Sequence, residues 1–228
     1  MNSQNGFLLS FIKYGENDAV LHCFTEEDGF QTYFLKGIYS KKNKKKALLQ
    51  PLNKLNFCIN PTKGNGISSI SKFELMKGHD IDSDIKANTV IFFISDFLNQ
   101  ILKYENKNPN IFLSIERFIN ELESKNYQSH LLFLLVILKV QGVAPLIREG
   151  NFLDPETGTF SSNPCHQLFS EEISMIWKTA LSAEDFYATK IHSSLRKDFL
   201  DSLLVYYHYH ITDFRNPISL EVIQQIFE

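Results

Sequence analysis

"DAVLHCFTEEDGFQTYFLKGI", Asp18 to Ile38, is the stretch that decides the fold. Its first part alternates apolar and polar side chains, the pattern of a strand with one buried face. An acidic turn ending in Gly29 follows, and a second alternating run then puts Tyr33 and Leu35 on one face. Alternation sends Tyr33 and Phe34 to opposite faces, and core packing is the expected role of Phe34. Two such runs joined by a short polar turn read as paired strands. Outward from them, "GFLLSFIKYG" lies before, and "LNKLNFCI" and "GISSISKFEL" lie after, these last two separated by the turn-rich "NPTKGNG". Five short strands of this kind suggest a small β-barrel or sandwich. A five-stranded OB-type barrel fits the count and the length, while periodicity leaves an SH3-like barrel open.

From Ile85 the texture becomes helical. "KANTVIFFISDFLNQILKYE" carries Ile91, Ile94, Phe97, Leu98, Ile101 and Leu102 as one wide stripe. Asn108-Pro109 breaks the chain, and "NIFLSIERFINELES" makes a second amphipathic helix. "YQSHLLFLLVILKVQG" is apolar nearly all round and therefore central, with Gly142 placed as its C-cap. After a Gly-, Pro- and Asn-rich segment, "SEEISMIWKTAL" opens with a serine cap and acids in its first turn. "SSLRKDFLDSLLVYYHYHI" and "PISLEVIQQIF" complete the chain. The predicted class is α+β. An N-terminal five-stranded OB-type barrel over residues 1–80 precedes an all-α helical domain over 81–228, with a hairpin or loop near 148–167.

Composition narrows the function classes. With 228 residues, 43% hydrophobic and 21% charged, the chain can bury a sizeable core. Cys23, Cys58 and Cys165 are far apart and have no CxxC spacing, which fits a reducing, cytoplasmic setting. The N-terminus lacks the basic n-region of a signal peptide. The apolar run Leu131 to Leu138 is far shorter than the roughly 20 residues a spanning helix needs, so no membrane contact is expected. Net charge is -3, yet residues 1–80 hold 11 Lys and no Arg against 7 acids. A positive front on an acidic body suggests that any polyanion meets the barrel.

The front charge is concentrated in "YSKKNKKKALLQPLN", where Lys41, Lys42, Lys44, Lys45 and Lys46 fall within six residues. The stretch reads as a flexible basic loop followed by "ALLQPLN", which anchors the next segment to the barrel. Lysines on such a loop make non-directional, salt-sensitive contacts with phosphates and carry no base preference. Tyr33, Phe34 and Tyr39 are the local candidates for stacking on a base, with at most one of Tyr33 and Phe34 facing the groove and Tyr39, beside the lysines, preferred. The competing reading is a protein-interaction scaffold whose lysines are merely solvated.

Particular residues add to this pattern. "YGE" (Tyr14 to Glu16), "FTEEDG" (Phe24 to Gly29), "LKGIYS" (Leu35 to Ser40) and "LLQPLN" (Leu48 to Asn53) occur in order. They are followed by Phe73-Glu74, "LLFLLVILKVQGVAPLI", "LDPETGTF", "LLVYYHYHI" and "ISLEVI". Over essentially its whole length the chain resembles the bacterial RecO family. That resemblance implies an OB-fold that binds single- and double-stranded DNA and a helical domain, with strand annealing as the activity. It also implies the partner RecR and the acidic, Phe-ended tail of single-strand-binding protein, with which the family helps load recombinase. Many members carry a four-cysteine zinc site, but "PLIREGNFLDPETGTFSSNPCHQ" offers only Cys165 and His166. Structural zinc takes four ligands, so no metal is expected and the hairpin should be organised by "DPETG".

Other chemistry is thinly represented. His208 and His210, two apart on a helix, diverge by about 200° and suit no shared ion. The acids Glu26, Glu27 and Asp28 form a turn without base, nucleophile or phosphate-cradling loop, and no Walker motif is present. An enzyme with catalytic residues or a cofactor is therefore not expected. Arg196 and Lys197 open a helix, where positive charge opposes the dipole; they are candidates for contact with an acidic partner tail or DNA, against the competing reading of a plain exposed helix face. An acidic, Phe-ended peptide would need an apolar groove with a basic rim.

Overall fold

The computed structural model describes residues 2–60, 62, 66–79 and 84–227. Packing divides the chain into two units, Met1–Phe112 with Pro217–Ser219, and Leu113–Asn216 with Leu220–Glu228.

The first unit is built on a closed barrel of β1 (Asn2–Tyr14), β2 (Asp18–Thr25), β3 (Gly29–Leu35), β4 (Lys54–Asn60) and β5 (Ser68–Lys77). The order around the barrel is β1-β2-β3-β5-β4, closed by the antiparallel pairing of β1 with β4. The parallel pairing of β3 with β5, Tyr33 opposite Ser68, gives the OB-type arrangement. The turn expected over "NPTKGNG" lies mostly outside the described residues.

Alternation fills the barrel. Leu21, Cys23, Tyr33, Leu35, Leu55 and Phe57 point inward and are buried. Burial pushes the Tyr33 phenol up, and its hydroxyl accepts from Gln4 Nε2 at 2.6 Å. Tyr33 takes the inner position, so Phe34 faces outward, half-buried, against Tyr14; the expected core role of Phe34 is thereby corrected. The acidic turn closes on Thr25, whose hydroxyl accepts from Asp28 N–H at 3.2 Å and donates to the Gly29 carbonyl at 3.0 Å.

Helix α1 (Ile85–Ile101) starts at Asp84, whose carboxylate accepts from Ala87 N–H at 3.0 Å. Ile91, Ile94, Phe97 and Leu98 of the expected stripe are buried. The helix packs on β1, where Ser95 Oγ donates to the Leu9 carbonyl and Ser10 Oγ donates to Asn99 Oδ1 at 3.1 Å. A boundary at residue 80 falls outside the described residues, and packing groups α1 with the barrel. Pro109 is the first residue of α2 (Pro109–Glu123), where its missing N–H costs no helical bond, and Asn108 accepts from Ile111 N–H at 3.3 Å.

The second unit holds the rest of α2, then α3 (Ser129–Val140), α4 (Glu171–Ser182), α5 (Arg196–His210) and α6 (Leu220–Phe227). Helix α3 is buried on nearly every side, as its all-round apolar sequence requires. Gly142, at φ +75°, follows it in the left-handed conformation that a C-terminal cap uses. Trp177 anchors the core against Phe169, Phe199 and Tyr206, and its indole N–H donates to Ser202 Oγ at 2.9 Å. Strands β6 (Phe152–Asp154) and β7 (Thr159–Ser161) form the hairpin of this unit. Its turn is held by Asp154, which accepts from Glu156 N–H at 3.1 Å and Thr157 Oγ1 at 2.9 Å.

Candidate nucleic-acid interface

The lysine run does not form a loose loop. Residues Lys44–Leu48 make a turn of 3-10 helix, with Asn43 Oδ1 accepting from Lys45 N–H at 2.9 Å. The approach to it is pinned as well. Gly37 N–H donates to Asp18 Oδ1 at 2.7 Å, Tyr39 N–H donates to the Asn17 carbonyl at 2.8 Å, and Ile38 is buried in the barrel. Beyond the run, Leu49, Leu52 and Asn53 are buried, which is the anchoring expected of "ALLQPLN".

The five lysines divide by what they touch. Lys41, Lys42 and Lys44 are exposed. Lys45 donates to the Phe73 carbonyl at 2.8 Å, and its ammonium lies 5.3 Å from the centre of the Phe73 ring. Lys46 lies over the Tyr39 ring at 5.1 Å, and Lys13 over the same ring at 5.6 Å. Tyr39 is half-buried against the barrel core, so a base stacking on it would compete with two ammonium groups.

Between the basic turn and β5 runs an open groove of about 610 Å³. Lys42, Lys44 and Lys45 line it from one side, Lys36 and Lys72 add two charges, and Ile70 and Phe73 lie at its floor. Lys36 and Lys72 were not singled out by the sequence. Ile70 and Phe73 sit three residues apart yet both point inward, because β5 carries an irregularity opposite Cys58 and Ile59. That three-residue step is the one signal that Ser71 and Lys72 together face outward. One acid intrudes, since Glu74 pairs with Lys72 at 2.7 Å and its carboxyl is held below its ordinary value by that contact.

The family pattern described as "Recombination protein O N terminal" matches residues 1–79, and "Recombination protein O C terminal" matches residues 82–164. The chain is 32% identical to "DNA repair protein RecO" of Flavobacterium psychrophilum over 235 residues, 96% of each chain. It is 31% identical to the protein of that name from Christiangramia forsetii over 233 residues, again 96% of each. The corresponding Porphyromonas gingivalis protein is 24% identical over 94% of each chain. This chain belongs to the RecO family. It is thereby a DNA repair protein of a recombination family and not an enzyme.

For a RecO family zinc site the donor set here does not fit. Cys165 Sγ lies 3.3 Å from both Ser161 Oγ and the Asn163 carbonyl, while His166 Nδ1 accepts from Leu168 N–H at 3.1 Å. Among the described residues no third His, Cys, Asp or Glu joins them. His208 is bonded to Asn216 at 3.0 Å, and His210 to the Pro155 carbonyl at 2.8 Å. Both serve the packing of α5. No helix among the described residues is long and apolar enough to cross a membrane.

Arg196 and Lys197 lie together at a cleft of about 240 Å³ within the second unit. Leu200 and Ile223 supply apolar walls, and His130, Ser193, Ser194 and Gln224 complete the lining. Arg196 Nε donates to the Ile191 carbonyl at 3.1 Å, which fixes the guanidinium at the cleft. Lys197 is exposed.

Proposed function

We propose that this RecO family chain is a recombination mediator that binds single- and double-stranded DNA through the lysine-lined groove of its barrel. The observation that carries this reading is the groove itself, where Lys36, Lys42, Lys44, Lys45 and Lys72 converge. Phosphates neutralised there release counterions, and two strands so neutralised repel each other less, which favours annealing. The work is done by binding energy, in the cytoplasm, at the nucleoid. Tyr39 serves in this reading by seating Lys46 and Lys13 beside the groove.

The helical unit supplies the protein contacts. A cleft with Leu200 and Ile223 as walls and Arg196 and Lys197 as rim suits the acidic, Phe-ended tail of single-strand-binding protein. With RecR as second partner, the protein would help load recombinase onto DNA coated by that protein. Titration of single-stranded DNA at several salt concentrations tests the first part. Binding that weakens steeply with salt in the native protein, and much less steeply when Lys41, Lys42 and Lys44 are alanine, is the expected result. Salt-insensitive or absent binding would favour a protein-interaction scaffold. An acidic peptide ending in Phe should bind the native chain and lose about tenfold in affinity with Arg196→Glu, Lys197→Glu.

A further inference from the structure

The outer face of β1, β2 and β3 has two ends with different surroundings. At one end Phe7, Leu9 and Phe24 are fully buried, with Phe7 meeting Phe112 at 4.8 Å and Leu9 and Ser10 bonded to α1. At the other end Ile12 is 59% and Tyr14 61% exposed, and Val20 and Phe34 are half-buried. Val20 stands opposite both Ile12 and Phe34, so these three form a row across the strands, and Tyr14 lies on the same face as Ile12. The Tyr14 and Phe34 rings sit edge to face, 5.8 Å apart at 82°. In that arrangement one ring offers only its edge, which leaves its faces open to a third ring.

Phe34 of this aromatic end is adjacent in the chain to Leu35, which lines the basic groove. Lys36, which also lines the groove, lies two residues beyond Phe34, in the turn that follows β3. Of the acids at this edge, Asp18 is engaged by the Gly37 N–H at 2.7 Å, and Glu16 is exposed in the turn after Tyr14. Cations beside exposed aromatic faces match a ligand carrying phosphates next to accessible flat rings.

We infer that Tyr14 and Phe34 form a base-stacking platform for single-stranded DNA whose phosphates lie in the lysine groove. The inference rests on the DNA-binding reading and adds a division of labour to it. The lysines hold phosphates of either single or double strands; the aromatic pair engages only unstacked bases, since a duplex keeps its base faces covered. Tyr14 and Phe34 therefore set the preference for single strands.

The test uses the full chain with two charge-matched probes, oligothymidine and an abasic strand of equal length, plus a duplex. The native protein should bind oligothymidine about tenfold more tightly than the abasic strand, the scale of one stacked base. In Tyr14→Ala, Phe34→Leu that preference should vanish, while affinity for the abasic strand and the duplex and the salt slope stay unchanged. Tyr14→Ala alone, at an exposed position where folding is not at issue, should move the same way, and Tyr14→Trp should restore the preference. Equal loss on both single-stranded probes, or a native protein that does not distinguish them, overturns the platform. If the native protein binds neither strand, the DNA-binding reading itself fails and the platform falls with it.

Discussion

The Lys45 ammonium donates to the Phe73 carbonyl at 2.8 Å, so the basic 3-10 turn is tied to the strand across the groove. One lysine of the five is thus a strut, and its charge is partly spent inside the protein. Lys46 is exposed but lies over the Tyr39 ring, so Lys41, Lys42 and Lys44 are the exposed lysines available to phosphates without giving up a contact within the protein.

Replacing Lys41, Lys42 and Lys44 by alanine should therefore reduce the slope of log K against log salt by about 2, at about 0.7 per single-strand phosphate contact. Their removal should leave stability nearly unchanged, because none of them is buried. Lys45→Met should do the reverse and cost about 1 kcal/mol in urea unfolding, the worth of one hydrogen bond, with a smaller change in slope. Salt titrations and urea curves on both variants decide the assignment. A Lys45→Met protein with native stability would sink the strut.

Glu74 is the acid beside this groove. Paired with Lys72 at 2.7 Å, it competes with any phosphate that approaches Lys72. Glu74→Gln should raise affinity for DNA by about threefold at low salt, and the gain should fade near 1 M salt, where the screening length falls to about 3 Å. A variant that binds no better than the native chain at low salt would show that Lys72 meets no DNA.

The fold was largely legible because each half of the chain obeys one period. Tyr33 and Leu35 alternate into the barrel, and the stripe from Ile91 to Leu102 repeats at helical spacing. The capping signals at Ser170 and Gly142 also hold, since both act through residues close in sequence. What stayed hidden depends on contacts between distant residues. Lys45 reaches Phe73 across 28 positions, and nothing local marks it apart from Lys44. Lys36 and Lys72 join the groove only because β3 pairs with β5. Alternation set Phe34 and Tyr33 on opposite faces without fixing which one turns outward, and the contact of Phe34 with Tyr14 depends on how β1, β2 and β3 register.

Gly29 closes the acidic turn at φ +70°, a conformation costly for any other L residue. A Cβ there would also come within 2.3 Å of the Asn106 carbonyl carbon and 2.4 Å of the Glu105 oxygen. The Glu105 carbonyl is the acceptor for Phe30 N–H at 2.9 Å, so the segment cannot retreat without losing that bond. Gly29→Ala should lower stability by about 2–4 kcal/mol, from strain at the special φ plus the lost hydrogen bond. A urea midpoint equal to that of the native chain would contradict the close approach.

His130 makes stability depend on pH. Burial is the main cause that brings its imidazole down to about 4, and Arg196 nearby disfavours the charged form further. The ring is held neutral, with Nδ1–H donating to the Tyr127 carbonyl at 2.6 Å. The unfolded chain binds a proton at its ordinary value of 6.5, while the folded chain waits until about 4. Stability from this group is therefore complete above pH 6.5 and is lost as pH falls from there towards 4. The whole effect is about 3 kcal/mol at the low end of that range. His22, lowered chiefly by burial, acts in the same direction. Asp201, raised by burial, acts oppositely, because the folded chain takes up its proton first. The slope is therefore read as a difference between the native chain and His130→Gln, unfolded in urea at pH 7, 5.5 and 4.5. The native chain should lose stability more steeply than the variant over that range, whatever the variant costs at pH 7. Parallel slopes would mean that His130 is already charged in the folded protein.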